Sequence, residues 1–115
     1  MGHLVTEKQI QKIATKLAKE YHPEKIILFG SRAWGGAHGG SDIDLFVIKQ
    51  SHQNPLELMR EANRILFSRT FGIDVLVYTP QQLERRTKLG DPFLAKIMRS
   101  GKVLYDKKAR RRFSH

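Results

Sequence analysis

Over positions 10–21 the apolar residues Ile10, Ile13, Ala14, Leu17, Ala18 and Tyr21 recur every three or four places, with Lys, Glu, Gln and Thr between them. That period predicts a helix with one buried face. Thr6 supplies a capping hydroxyl, Gln9 three places on completes a capping box, and Val5 is positioned to staple onto Ile10. His22-Pro23 ends the helix, because the residue before a proline resists the helical conformation.

The pattern then changes period. Ile26-Ile27-Leu28-Phe29 is a short apolar run closed by Gly30, as in a buried strand. Arg32 to Trp34 can make one helical turn, and residues 35–40, Gly-Gly-Ala-His-Gly-Gly, form a glycine-rich loop. A second strand is expected over residues 42–48, polar at its start and apolar from Leu45 onward. Asn54-Pro55 with Glu57 opens a helix whose inner face is Leu58, Met59, Ala62, Ile65 and Leu66, running to near Phe71-Gly72. Residues 73–78 give a third strand. Thr79-Pro80 and Asp91-Pro92 open two more helices, stopped by Gly90 and Gly101, and Val103-Leu104-Tyr105 supplies a short last strand.

The order of elements is helix, strand, strand, helix, strand, two helices, strand. It predicts an α+β (mixed α/β) domain with a single small mixed β-sheet covered by helices. A chain of 115 residues holds one such domain. Its expected extent is residues 1–106, followed by a basic tail over 107–115.

Composition narrows the classes of function. The chain has 40% apolar residues, enough for one modest core, and no cysteine, which excludes disulfides and thiolate metal sites. Residues 1–8 lack a basic stretch followed by an apolar run, so no signal peptide is expected. No apolar run approaches the ~20 residues that span a bilayer. The expectation is a cytoplasmic protein without a membrane partner. The net charge is +10, from 21 Lys and Arg against 11 Asp and Glu. Lys107, Lys108, Arg110, Arg111 and Arg112 carry half of it. Such a run is most simply a solvated terminus, although a basic surface also suits phosphate-bearing ligands or an acidic partner. Nucleic acid is the less favoured partner, because Phe113 is the only aromatic among those basic residues.

Against this basic background three acids stand out. Asp42 and Asp44 are two apart in a strand pattern, so they share a face roughly 6.5–7 Å apart and repel unless a cation lies between them. A hard, oxygen-seeking ion such as Mg²⁺ fits that need. Asp74 is a single acid within an otherwise apolar strand, and pairing of that strand beside the second would bring a third carboxylate to the patch. Three carboxylates suit two ions about 3.5–4 Å apart, the arrangement used in phosphoryl transfer. Gly30-Ser31 follows a buried strand, so its backbone amides and hydroxyl can face a phosphate, with no β-carbon at Gly30 to obstruct approach. The histidines have no metal-ligand spacing.

Residues 28–35, Leu-Phe-Gly-Ser-Arg-Ala-Trp-Gly, followed by 40–45, Gly-Ser-Asp-Ile-Asp-Leu, resemble the signature of the DNA polymerase beta-like nucleotidyltransferase superfamily. That signature is Gly-Ser, a gap of about ten residues, Asp-X-Asp, and a third acid on a later strand. Length and motif resemble the minimal nucleotidyltransferases in particular. The resemblance covers residues 26–78 best, and residues 100–106 are similar to the family's C-terminal segment. It implies the polymerase beta-like fold, with Asp42, Asp44 and Asp74 as catalytic residues and as ligands of two Mg²⁺ ions, Mn²⁺ being an alternative. It also implies that Gly30, Ser31 and Arg32 bind ATP or another nucleoside triphosphate. Trp34 departs from the pattern, where the family often has Gly-Ser-Arg-Ala-Arg-Gly. The tryptophan can pack on the sheet edge, its commoner use, or stack on a base.

The resemblance further implies a function. Minimal nucleotidyltransferases are often paired as antitoxins with a small helical HEPN-type toxin, and are known to transfer AMP onto a tyrosine of that partner. The expected activity is Mg²⁺-dependent transfer of AMP from ATP to a partner hydroxyl. The alternative is a non-catalytic antitoxin that neutralises its partner by forming a stoichiometric complex.

Overall fold

The computed structural model describes residues 6–34, 42–67 and 72–109. The elements are α1 (Glu7–Tyr21), β1 (Lys25–Phe29), α2 (Ser31–Trp34), β2 (Ile43–Ile48), α3 (Pro55–Ile65), β3 (Ile73–Tyr78), α4 (Pro80–Lys88), α5 (Pro92–Ser100) and β4 (Lys102–Asp106). The chain folds as a mixed α+β domain around one mixed sheet, as its periodicity predicts.

Local chemistry sets most boundaries. Thr6 and Gln9 form the expected capping box at α1, and the equivalent pair Thr79 and Gln82 closes one at α4. Asn54 and Asp91 accept backbone N–H bonds at the starts of α3 and α5, each followed by proline. Such caps satisfy donors that the first helical turn leaves unpaired. His22 ends α1 in the left-handed conformation, φ 55°, immediately before Pro23. The staple from Val5 lies outside the described residues, as does the glycine loop. α3 is shorter than its pattern predicts, ending at Ile65 with Leu66 as cap rather than near Phe71-Gly72.

The strands are ordered β3-β2-β1-β4. β1 runs antiparallel to both β2 and β4, whereas β2 and β3 are parallel and joined through α3. Alternation along the strands gives each face its own core. Ile26, Leu28, Ile43, Leu45, Val47, Val75 and Val77 pack against α1 and α3. On the opposite face Ile27, Phe29, Phe46 and Ile48 pack against Leu94 and Ile97 of α5, with Trp34 and Leu83 alongside. Tyr21 anchors the first core: its buried hydroxyl donates to the Leu58 carbonyl at 2.6 Å, and Lys49 lies over its ring. Burial pushes the phenol up to about 12, so it stays protonated and keeps that bond at neutral pH.

Two boundaries matter for the acids. Asp42 stands just before β2, not within it, and β3 is an edge strand, half-exposed along one side. At the other end of the sheet residues 107–109 form a helical turn, capped by Asp106 and tied back to Glu24 through Lys107. No helix among the described residues is long and apolar enough to cross a membrane.

Candidate active site

The parallel ladder aligns Asp44 of β2 directly with Asp74 of β3. Neighbouring strands lie about 4.8 Å apart, so the sheet holds these carboxylates side by side. Both belong to the α5 face, since Asp44 alternates with Ile43 and Leu45, and Asp74 with Ile73 and Val75, all of the opposite core. Asp42 is brought to the same end by the bond from the Ile43 N–H to the Gly72 carbonyl, 2.9 Å.

Asp44 is half-buried and Asp74 exposed. Burial, then the neighbouring charges of Asp74 and Asp42, raise the Asp44 carboxyl above the ordinary carboxylate range. Each of these causes disfavours the ionised form. No lysine or arginine forms an ion pair with any of the three among the described residues. Asp44 is therefore coupled electrostatically to the other two acids, and among the described residues none of the three has a cationic partner.

Two glycines make room for them. Gly30 ends β1 with φ +81°, and a β-carbon there would stand 2.4 Å from Oδ2 of Asp44. The antiparallel register, Phe29 opposite Asp44, creates this approach. A β-carbon on Gly72 would likewise stand 2.4 Å from Oδ1 of Asp42 and 2.8 Å from its Cγ. Gly72 is a residue that sequence reasoning passed over as a helix stop; its only signal is its place two residues before Asp74. Gly30 also closes the turn into α2, its carbonyl accepting from the N–H groups of Ala33 and Trp34 at 3.0 Å each. Ser31, the first residue of α2, is exposed beside it.

Arg32 is placed differently from the other expected residues. It lines a cavity of about 330 Å³ with Glu7, Ile10, Gln11, Leu28, Lys102, Val103 and Leu104, toward α1 rather than on the α5 face with the carboxylates. Trp34 packs against Phe29, ring centroids 6.4 Å apart, with the Lys96 ammonium 4.1 Å above its ring.

The donor set is right for a hard divalent cation, being carboxylate oxygens only. As the side chains stand, no three carboxylate or imidazole groups among the described residues are drawn into one metal-holding cluster. The acids share an end of the sheet and repel one another there. A cation would relieve that repulsion.

A small mixed sheet that presents acids at the starts of two parallel strands, beside a glycine turn, is the architecture of a nucleotidyltransferase domain. The profile of the family "Polymerase beta, Nucleotidyltransferase" matches residues 11–110, and the chain belongs to that family. The comparison with curated proteins gives no match. Among solved structures the chain is similar to one from Sulfolobus solfataricus, described as a presumptive nucleotidyltransferase, with TM-score 0.62 and 19% identity over 88% of this chain and 80% of that one. It is also similar to a chain of a toxin–antitoxin structure with AMP-PNP, with TM-score 0.53 and 22% identity over 90% of this chain and 80% of that one. At these identities the likeness is one of fold. Family members generally use divalent metal ions.

Proposed function

We propose that this chain transfers AMP from ATP, with Mg²⁺, onto a hydroxyl of a small helical HEPN-type protein, most simply a tyrosine, and so acts as an antitoxin. The observation that carries the catalytic part is the alignment of Asp44 with Asp74 across β2 and β3, with the Asp44 carboxylate seated against Gly30. Family membership supports nucleotidyl transfer. The likeness to a chain of a toxin–antitoxin structure with AMP-PNP supports a protein partner and an adenosine nucleotide.

Asp42, Asp44 and Asp74 are the residues that would hold the divalent ions. When bound, such ions neutralise charge that develops on the phosphoryl oxygens. The chain's own groups do the rest. Gly30 leaves its backbone open to the triphosphate and the Ser31 hydroxyl donates to a phosphate oxygen, while Arg32, turned toward α1, takes no part on that face. The acceptor oxygen forms a bond to the α-phosphorus as the bond from that phosphorus to the bridging oxygen breaks, releasing pyrophosphate. The hydroxyl proton passes to Asp74. Exposure of Asp74 on an edge strand suits this role, because the acceptor must arrive from another molecule.

The test mixes purified protein, labelled ATP, Mg²⁺ and the candidate partner, and follows label and mass. A gain of one or more AMP units on the partner is expected. Inhibition of the partner without any label incorporated would overturn the enzymatic reading in favour of a stoichiometric binder.

A further inference from the structure

Trp34 stands one turn beyond Gly30, its N–H bonded to the Gly30 carbonyl at 3.0 Å. Sequence comparison with the motif Gly-Ser-Arg-Ala-Arg-Gly leaves this position without its positive charge. The structure returns one from elsewhere in the chain. Lys96 of α5 reaches over the indole, its Nζ 4.1 Å from the ring centroid. Phe29 packs against the same indole and Phe93 meets Phe29 edge-on at 5.6 Å, so α2, β1 and α5 share one aromatic cluster. The indole N–H is buried with no acceptor among the described residues, where packing and the lysine hold the ring.

Lys96 is exposed and forms no ion pair among the described residues. It lies on the face that carries Asp44 and Asp74, and beside the turn that begins at Gly30. A cation–π contact at an exposed site is weak, whereas an ammonium bound to phosphate gains a charge-assisted hydrogen bond. The flexible four-carbon stem allows the ammonium to exchange one for the other.

We propose that Lys96 is a phosphate-binding residue, parked on Trp34 in the free protein and donated to the phosphate chain of a nucleoside triphosphate on binding. The pair Trp34–Lys96 thus does the work of an arginine at position 34. This rests on the reading of Gly30-Ser31 as the triphosphate turn.

The probes are ATP and inorganic tripolyphosphate, each with Mg²⁺, titrated by calorimetry and by tryptophan fluorescence. Trp34 is the chain's single tryptophan, so its emission reports the lysine's departure directly. The wild type should bind both probes with a change in emission. Lys96→Met should bind each about tenfold more weakly and lose the emission change, whereas Lys96→Arg should restore affinity. Adenosine should bind both proteins alike. Equal affinity of Lys96→Met and wild type for tripolyphosphate overturns the assignment while leaving the nucleotide site intact. Absence of any ATP or tripolyphosphate binding by the wild type overturns the triphosphate turn itself, and this role with it.

Discussion

Gly30 and Asp44 occupy one space between them: the side chain that Gly30 lacks would stand 2.4 Å from the Asp44 carboxylate. The antiparallel pairing of β1 with β2 makes this contact inevitable, because the end of one strand faces the start of the other. The glycine is therefore needed for the carboxylate as well as for any phosphate.

It follows that Gly30→Ala should harm both fold and site, and that a bulkier residue cannot be expected to leave the fold intact. A non-glycine residue at φ +81° carries a backbone penalty of about 1–2 kcal/mol. Urea denaturation should show that loss, and nucleotide transfer should fall with it as Asp44 is displaced. An unchanged unfolding midpoint would contradict the left-handed assignment.

Gly72→Ala separates the two effects, since Gly72 needs no left-handed backbone and the three atoms nearest its β-carbon all belong to the Asp42 carboxylate. Stability should change by less than about 1 kcal/mol, whereas divalent-ion affinity should drop on the order of 10–100-fold, the usual result of disturbing a ligand's support. Calorimetric titration with Mn²⁺ measures the second effect, and equal affinities would exclude Asp42 as a ligand.

Asp74→Asn should keep the fold, because the side chain is exposed and makes no hydrogen bond among the described residues. Transfer of AMP should fall at least ~10²-fold, the scale expected when a general base is lost. Much of the ATP affinity should survive. A variant as active as wild type would remove Asp74 from the chemistry.

The charge repulsion at Asp44 gives a pH signature in the metal-free protein. Its carboxyl is raised in the folded state by burial and by Asp74 and Asp42, so the fold binds that proton more tightly than the unfolded chain does. The stabilisation linked to that proton is fully present below the unfolded carboxylate value and is lost as pH rises through the folded one. In chelator at pH 7, Asp44→Asn should therefore be the more stable protein, as thermal or urea unfolding would measure. The difference should shrink as pH falls toward ~4, the ordinary carboxylate range, and as salt is added. Saturating Mg²⁺ should reverse the order.

Much of this arrangement was legible in the chain because it rests on local rules. Capping pairs such as Thr6–Gln9, proline after Asn54 and Asp91, and the unbroken apolar run from Leu45 to Ile48 each leave a mark on sequence. The motif marked both Gly30 and Asp44. What local rules could not supply was neighbourhood. Asp74 reads as a buried-strand acid, yet β3 is the sheet edge, and only the strand order reveals that. Gly72 is indistinguishable from a helix stop until the Asp42 carboxylate is seen against it. Lys96 lies 62 positions from Trp34, on what looks like an ordinary polar helix face, and no periodicity connects the two.

The direction of β4 has a practical meaning. It begins opposite Leu28, at the acid end, and finishes opposite Lys25, where the turn at 107–109 is fastened to Glu24. Five strand residues carry the chain about 16 Å along the sheet. A surface or reporter joined after residue 109 thus takes hold at the pole remote from Asp42, Asp44 and Asp74. The protein can be tethered by that handle with its carboxylates turned outward, open to a second protein brought in solution.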